Sequence, residues 1–297
     1  MKKKLKRWFA PGQLILYLLM LLIVLTMIVP LLNILARSLS EPSRSLGMSG
    51  LEIIPRGFST LNYQVVFSNN LIMPALLNSV LITVVGTVIN VLLTTTAAYV
   101  LTRPRLMFKK YIMGFLIIMM LFDPGLVPEY LVIQKFGLMN SHWSVILVSA
   151  VNVYYLVICM RYFEAVPYTL YEAASMEGAG HPRIFAQIFL PLAKSGVATL
   201  TMFYAVVRWN EYFRPGIYLT SSSKTTLQVI LRQFVVSGDT AAIIGAQNLL
   251  NYNEFAKIDY AALKSATIII AIVPILLVYP LVLRFYAKDL MAGSIKE

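Results

Sequence analysis

The stretch LILYLLMLLIVLTMIVPLLNIL, residues 14–35, runs for 22 positions without a charge. About 20 apolar residues are enough to cross the ~30 Å hydrocarbon layer of a bilayer as one helix. The uncharged interval extends from Trp8 to Ala36, so this segment reads as a membrane span. The composition agrees. The chain of 297 residues is 59% hydrophobic and only 13% charged, with a mean hydropathy of +0.75. A soluble domain carries roughly twice that share of charge, and a disordered chain would be polar and charge-rich. The composition predicts an all-α polytopic membrane protein.

Outward from the first span, the tail at residues 1–13 holds Lys2, Lys3, Lys4, Lys6 and Arg7. It resembles the start of a signal peptide, but the apolar run is too long and no small-residue cleavage pattern follows. A retained helix is the expectation. The second span is predicted at Met73–Leu101, after a polar stretch from Gly57 to Asn70 that reads as a loop or short surface helix. The third begins near Met107 and breaks at Asp123-Pro124-Gly125. The fourth is predicted at Trp143–Met160. The fifth has 13 uncharged residues, Ser195–Val207, before Arg208, Glu211 and Arg214. The sixth, Ser265–Leu283, has 19.

Six spans put both termini on one side, and the basic residues say which. The tail, the connection holding Arg103, Arg105, Lys109 and Lys110, the loop at 161–194 and the C-terminus together carry 15 of the 25 Lys and Arg. Short basic connections face the cytoplasm. Segments 37–71 and 215–264 are then extracytoplasmic. The net charge of +12 has a sufficient cause in topology and anionic headgroups, which removes the case for nucleic acid. The single Cys159 excludes a disulfide within the chain. His142 and His181 are too far apart in sequence to form a local metal cluster.

The inner loop carries the most information. Tyr168 to Ala179 contains good helix formers, Gly178 and Gly180 open the backbone, and Pro182 suits the first turn of a second helix. Ile184, Phe185, Ile188 and Phe189 form an apolar stripe at helical spacing. Such a loop could lie on the bilayer surface, or dock a cytoplasmic partner through small residues and the charge of Glu172. Composition leaves both readings open.

Glu172-Ala173-Ala174, Gly178 four residues later, and Ile188-Phe189-Leu190-Pro191 together resemble the loop motif of membrane subunits in bacterial ATP-binding-cassette (ABC) importers. Trp209-Asn210-Glu211-Tyr212-Phe213, then Pro215 and Thr226-Leu227-Gln228, is similar to carbohydrate-uptake permeases of this type. Asn78-Ser79 and the terminal Gly293-Ser294-Ile295-Lys296 agree. The likeness covers roughly residues 70–297 and is nearest to the second permease of importers for oligosaccharides or polysaccharide fragments. Glu177 stands where an aspartate is more usual. Ser195 replaces a common proline, which implies a less kinked start to span five.

The resemblance implies a single permease domain, 1–297, in the bacterial cytoplasmic membrane, with no cofactor of its own. Glu172, Ala173, Ala174, Glu177 and Gly178 would dock on a cytoplasmic ATPase that binds ATP and magnesium. Two permease chains, as a heterodimer, would form the pore above two ATPase subunits, with an extracytoplasmic solute-binding protein delivering carbohydrate. The chain lacks a phosphate-binding Gly-x-x-x-x-Gly-Lys-Ser/Thr loop and a visible nucleophile–base constellation, so no hydrolysis is assigned to it.

Arg208, Asn210 and Glu211 are too polar to face lipid, so they should line the translocation path or pair with one another. Tyr154, Tyr155, Tyr204, Trp209 and Tyr212 are candidate sugar platforms, since aromatic faces cover the C–H patches of pyranose rings. Taken singly, each reads more readily as packing or interfacial belt than as a ligand contact. The alternative reading is an ion-coupled secondary transporter or channel, which would need central acidic residues. Asp123 and Glu211 read as the only acids near spans, both toward one edge. A membrane-embedded enzyme would need acid and His clusters that are missing.

Overall fold

The computed structural model of the protein describes residues 11–238 and 259–293. The basic cluster at 2–7, the terminal Ser294–Lys296 and the middle of segment 215–264 lie outside the described residues. Those described are helical, with one isolated bridge between Ser40 and Phe58. Fifteen helices follow in order: α1 Pro11–Ser38, α2 Pro42–Ser45, α3 Leu61–Ser68, α4 Ile72–Leu101, α5 Lys109–Leu121, α6 Leu126–Lys135, α7 His142–Leu147, α8 Val153–Glu164, α9 Tyr168–Met176, α10 His181–Ile184, α11 Leu190–Leu192, α12 Lys194–Asn210, α13 Phe213–Tyr218, α14 Leu227–Val235 and α15 Tyr260–Gly293.

Three of them are long and apolar enough to cross a membrane, over Gly12–Ser38, Ile72–Leu101 and Tyr260–Pro280. Two bent pairs raise the number to five. One joins α5 to α6 at 113°, the other joins His181–Leu192 to α12 at 85°. The first bend is the predicted break. Gly125 has φ +81°, and its N–H donates to the Asp123 carboxylate at 2.9 Å. Asp123 is thus a turn former, as its position beside Pro124 implied. The second bend corrects an expectation, because Ser195 does not straighten the start of α12.

The predicted fourth span, Trp143–Met160, is not one helix. It is α7 and α8 separated by Val148–Asn152, with Ser149 in the left-handed region at φ +56°. Two side chains start the two pieces. Ser141 accepts the Trp143 N–H, and Asn152 accepts the Tyr155 N–H at 3.2 Å. Capping of this kind satisfies N–H groups that a helix start leaves without partners.

The chain forms two compact units, Met1–Ile72 with Leu231–Val273, and Met73–Ile230 with Pro274–Glu297. In the first, segment 37–71 is ordered by polar side chains near the end of α1. Asn33 donates to the carbonyls of Ser49 and Glu52 at 2.8 and 2.7 Å, Arg37 to that of Met48 at 2.7 Å, and the Ser45 hydroxyl to Asp259 at 2.6 Å. None of the most apolar window of α1 is buried in the chain. In the second unit the core gathers Leu156, Cys159, Met160 and Phe163 of α8 with Tyr99, Ile184, Phe189 and Leu200. Gly196 lets α12 come against α8, since a Cβ there would strike the Tyr162 ring.

Candidate functional site

The loop at 161–194 is two short helical pieces joined at glycines, as its letters predict. Helix α9 ends in a pair of backbone bonds: the Gly178 N–H donates to Ser175 O at 3.1 Å and the Ala179 N–H to Ala174 O at 3.0 Å. This C-terminal motif needs a left-handed residue just past the helix, and Gly178 supplies it with φ +81°. Nothing lies within 4 Å of where its Cβ would be. Conformation, not crowding, requires the glycine.

Beyond the bend, the apolar stripe enters the core. Ile184 and Phe189 are 1% exposed, with Phe185 and Ile188 packed beside them. The stripe is used inside the protein, so it is not the face the loop would offer to a bilayer. Residues 185–189 form a π-helical turn in which the Leu190 N–H donates to Phe185 O. Pro191, lacking an N–H, follows directly, and such a turn widens the helix where one bond is lost. The outer face of α9 is left open. Glu172, Ala173 and Glu177 are exposed, and Met176 is 89% exposed. Ala174 differs. It is half-buried and lines a small groove with Glu177, Arg183, Ile184 and Ile188.

A second constellation surrounds the break in the fourth segment. Two residues of α12, one turn apart, hold it. The Tyr204 hydroxyl accepts the Asn152 N–H at 3.1 Å and shares a 2.7 Å hydrogen bond with Thr94. The Arg208 guanidinium donates to the carbonyls of Val145, Ile146 and Val148 and to the Asn90 side chain. The two last carbonyl distances are 2.8 and 3.1 Å. A helix end leaves carbonyls without partners, and here a buried cation collects three of them. Gly86 makes room, since a Cβ there would stand 3.3 Å from Arg208 Nε.

Arg208 thus takes backbone carbonyls and Asn90, rather than Glu211 or Asn210, as its hydrogen-bond partners. Asn210 bonds its own helix at Val206 O, 2.9 Å away. Glu211 pairs with Arg214 at 3.2 Å and accepts the Phe213 and Arg214 N–H groups. Trp209 is 5% exposed and lines an apolar groove of about 200 Å³ with Val80, Val84, Met202 and Tyr279. Tyr155 packs edge-on against Tyr204 at 4.9 Å and near Phe203. Of the aromatic candidates, Tyr154 and Tyr212 remain open, at 56% and 41% exposed.

Two clusters escaped the sequence reading. Glu129, in α6, takes both Nε and Nη2 of Arg214 at 2.8 and 3.1 Å, and the Tyr218 hydroxyl also donates to it. Asp123 and Glu211 are therefore not the only acids beside spans. Arg103, assigned only to topology, sits over the rings of Tyr99, Tyr171 and Phe189 at 4.4, 4.9 and 4.3 Å. His181 stacks on Tyr171 at 6.0 Å and meets the Tyr99 hydroxyl at 3.2 Å. A cation two residues past a span and an aromatic on the loop helix were the available signals. Among the described residues no group of His, Cys, Asp and Glu could hold a metal.

Three apolar helices long enough to cross a membrane, with two bent pairs beside them, fit a polytopic membrane subunit. The fold matches, with a TM-score of 0.86 over 94% of this chain and 99% of the other, a chain in the crystal structure of a bacterial ABC transporter involved in the import of the acidic polysaccharide alginate, at 24% identity. No protein-family model matches. Curated relatives do. The polygalacturonan/rhamnogalacturonan transport system permease protein YtcP of Bacillus subtilis is 33% identical over 285 residues, covering 96% of this chain and 98% of that protein. Protein LplC of the same organism is 35% identical, with 91% and 89% covered. The diacetylchitobiose uptake system permease protein NgcG of Streptomyces coelicolor is 29% identical, with 91% and 84% covered. The chain belongs to the family of permease subunits of carbohydrate ABC importers. It is a non-catalytic transport subunit, with the ATPase in partner chains.

Proposed function

We propose that the chain forms half of the translocation path for a polysaccharide-derived oligosaccharide, in a bacterial cytoplasmic membrane and with both termini inside. The six crossings count α7–α8 as one interrupted span. A second permease chain completes the pore, two ATPase subunits dock below, and an extracytoplasmic binding protein delivers the sugar. The near full-length likeness to a permease named for polygalacturonan/rhamnogalacturonan supports the substrate class.

The observation that carries the coupling role is the division of labour in the loop. Ile184 and Phe189 anchor it in the core while Glu172, Ala173 and Met176 remain exposed on α9. ATP-driven closure of the partner would push on α9 and swing α12, whose far end holds the α7–α8 break through Tyr204 and Arg208. The movement is rigid-body transmission between two states, with no chemistry in this chain. Tyr154 and Tyr212 are the sugar contacts this reading favours. The test is reconstitution in liposomes with the partner permease, ATPases and binding protein. Uronate oligosaccharides should stimulate ATP hydrolysis and uptake, and uptake by this chain alone would refute the reading.

A further inference from the structure

A cavity of about 570 Å³ opens at the foot of α4, lined by Tyr99, Arg103, Arg105, Tyr168, Tyr171 and His181 among others, and no carboxylate lines it. Two arginines, a histidine and three tyrosines line it, side chains whose guanidinium, imidazole and phenol groups can donate to an oxyanion. Arg103 is fixed by Nε on Tyr99 O at 3.1 Å and Nη2 on Thr102 Oγ1 at 3.3 Å. Its Nη1 is closed from solvent with no hydrogen-bond partner. Burial pushes its pKa down, against the opposing influence of Tyr99, Tyr171 and Tyr168.

Depth says what could supply the anion. Helix α4 has 30 residues, about 45 Å at 1.5 Å each, which matches a bilayer with its headgroup layers. Arg103 and Arg105 lie just beyond its end, where a helix of that length crossing a bilayer would bring them to the headgroups. Basic pockets between spans at this depth suit lipid phosphates.

We propose that this cavity seats the phosphate of an anionic ligand, supplied in the membrane by a phospholipid headgroup. Tyr168, Tyr171 and His181 belong to the loop that carries α9, so a bound phosphate ties that loop to α4 and stiffens the lever. The inference stands on the cavity alone and does not need the sugar assignment.

The test is native mass spectrometry of the full chain titrated with phosphatidylglycerol or phosphatidylcholine. The wild type should retain phosphatidylglycerol preferentially, and Arg105→Gln, at an exposed position, should weaken that by about fivefold. Arg103→Gln should weaken it further, while Arg161→Gln, a remote exposed cation, should not. If inorganic phosphate leaves the bound lipid in place, the headgroup is the source. If phosphate displaces it and binds alone, the site holds and its source is a free anion. Equal retention of the two lipids by the wild type, or unchanged retention in both cavity variants, would overturn the proposal.

Discussion

Arg208 occupies the last turn of α12 and is 7% exposed, with backbone carbonyls as its main partners. A lysine could reach one or two of these acceptors from a single nitrogen. Each buried acceptor left without a donor costs about 1–3 kcal/mol. Arg208→Lys should therefore lower the thermal unfolding temperature of the purified chain and impair transport, and Arg208→Gln should do so more severely. At Gly178 the cost is conformational. With open space around it, Gly178→Ala should lose about 1–2 kcal/mol from the left-handed backbone alone, read as faster proteolysis within the loop. Gly178→Asn should lose less. Legibility differed between these two residues. Glycine past a helix end is a local signal that the letters carry. The partners of Arg208 are carbonyls about 60 positions away, which every residue owns, so no motif announces them. Glu129 was hidden for the same reason, its partner Arg214 lying 85 positions along the chain.

The long apolar spans were legible as elements because length and lack of charge fix them. The second was expected at Met73–Leu101 and is α4, Ile72–Leu101. Interruption is harder to read. Ser149 and Asn152 are mild letters within an apolar run, and the break they permit is held by contacts from α12. Tyr204→Phe removes the hydroxyl that accepts the Asn152 N–H. It should cost about 1–2 kcal/mol and shift hydrogen exchange at residues 148–152 more than at α8. For α9 the two alanines should behave differently. Ala173→Trp, on the exposed face, should abolish ATPase association while leaving insertion and folding intact. Ala174→Trp would strike the loop's own groove and lower the yield of folded chain. Equal co-purification of ATPase with wild type and Ala173→Trp would contradict the docking assignment.

For the whole molecule, composition and basic asymmetry point to a membrane protein whose short loops face inward, and relatives place it among importer permeases. What no letter conveys is how an apolar helix such as α1, unburied in its own chain, finds cover from lipid or a second permease. The central claim is that α9 is a cytoplasmic handle for a separate motor. Met176 is 89% exposed and Cys159 only 1%, so Met176→Cys offers one reactive thiol. A membrane-impermeant maleimide should label it in inside-out vesicles and leave it unlabelled in right-side-out vesicles. Addition of the ATPase subunits should then protect it. Labelling from the outer face would place α9 on the wrong side of the membrane and end the account.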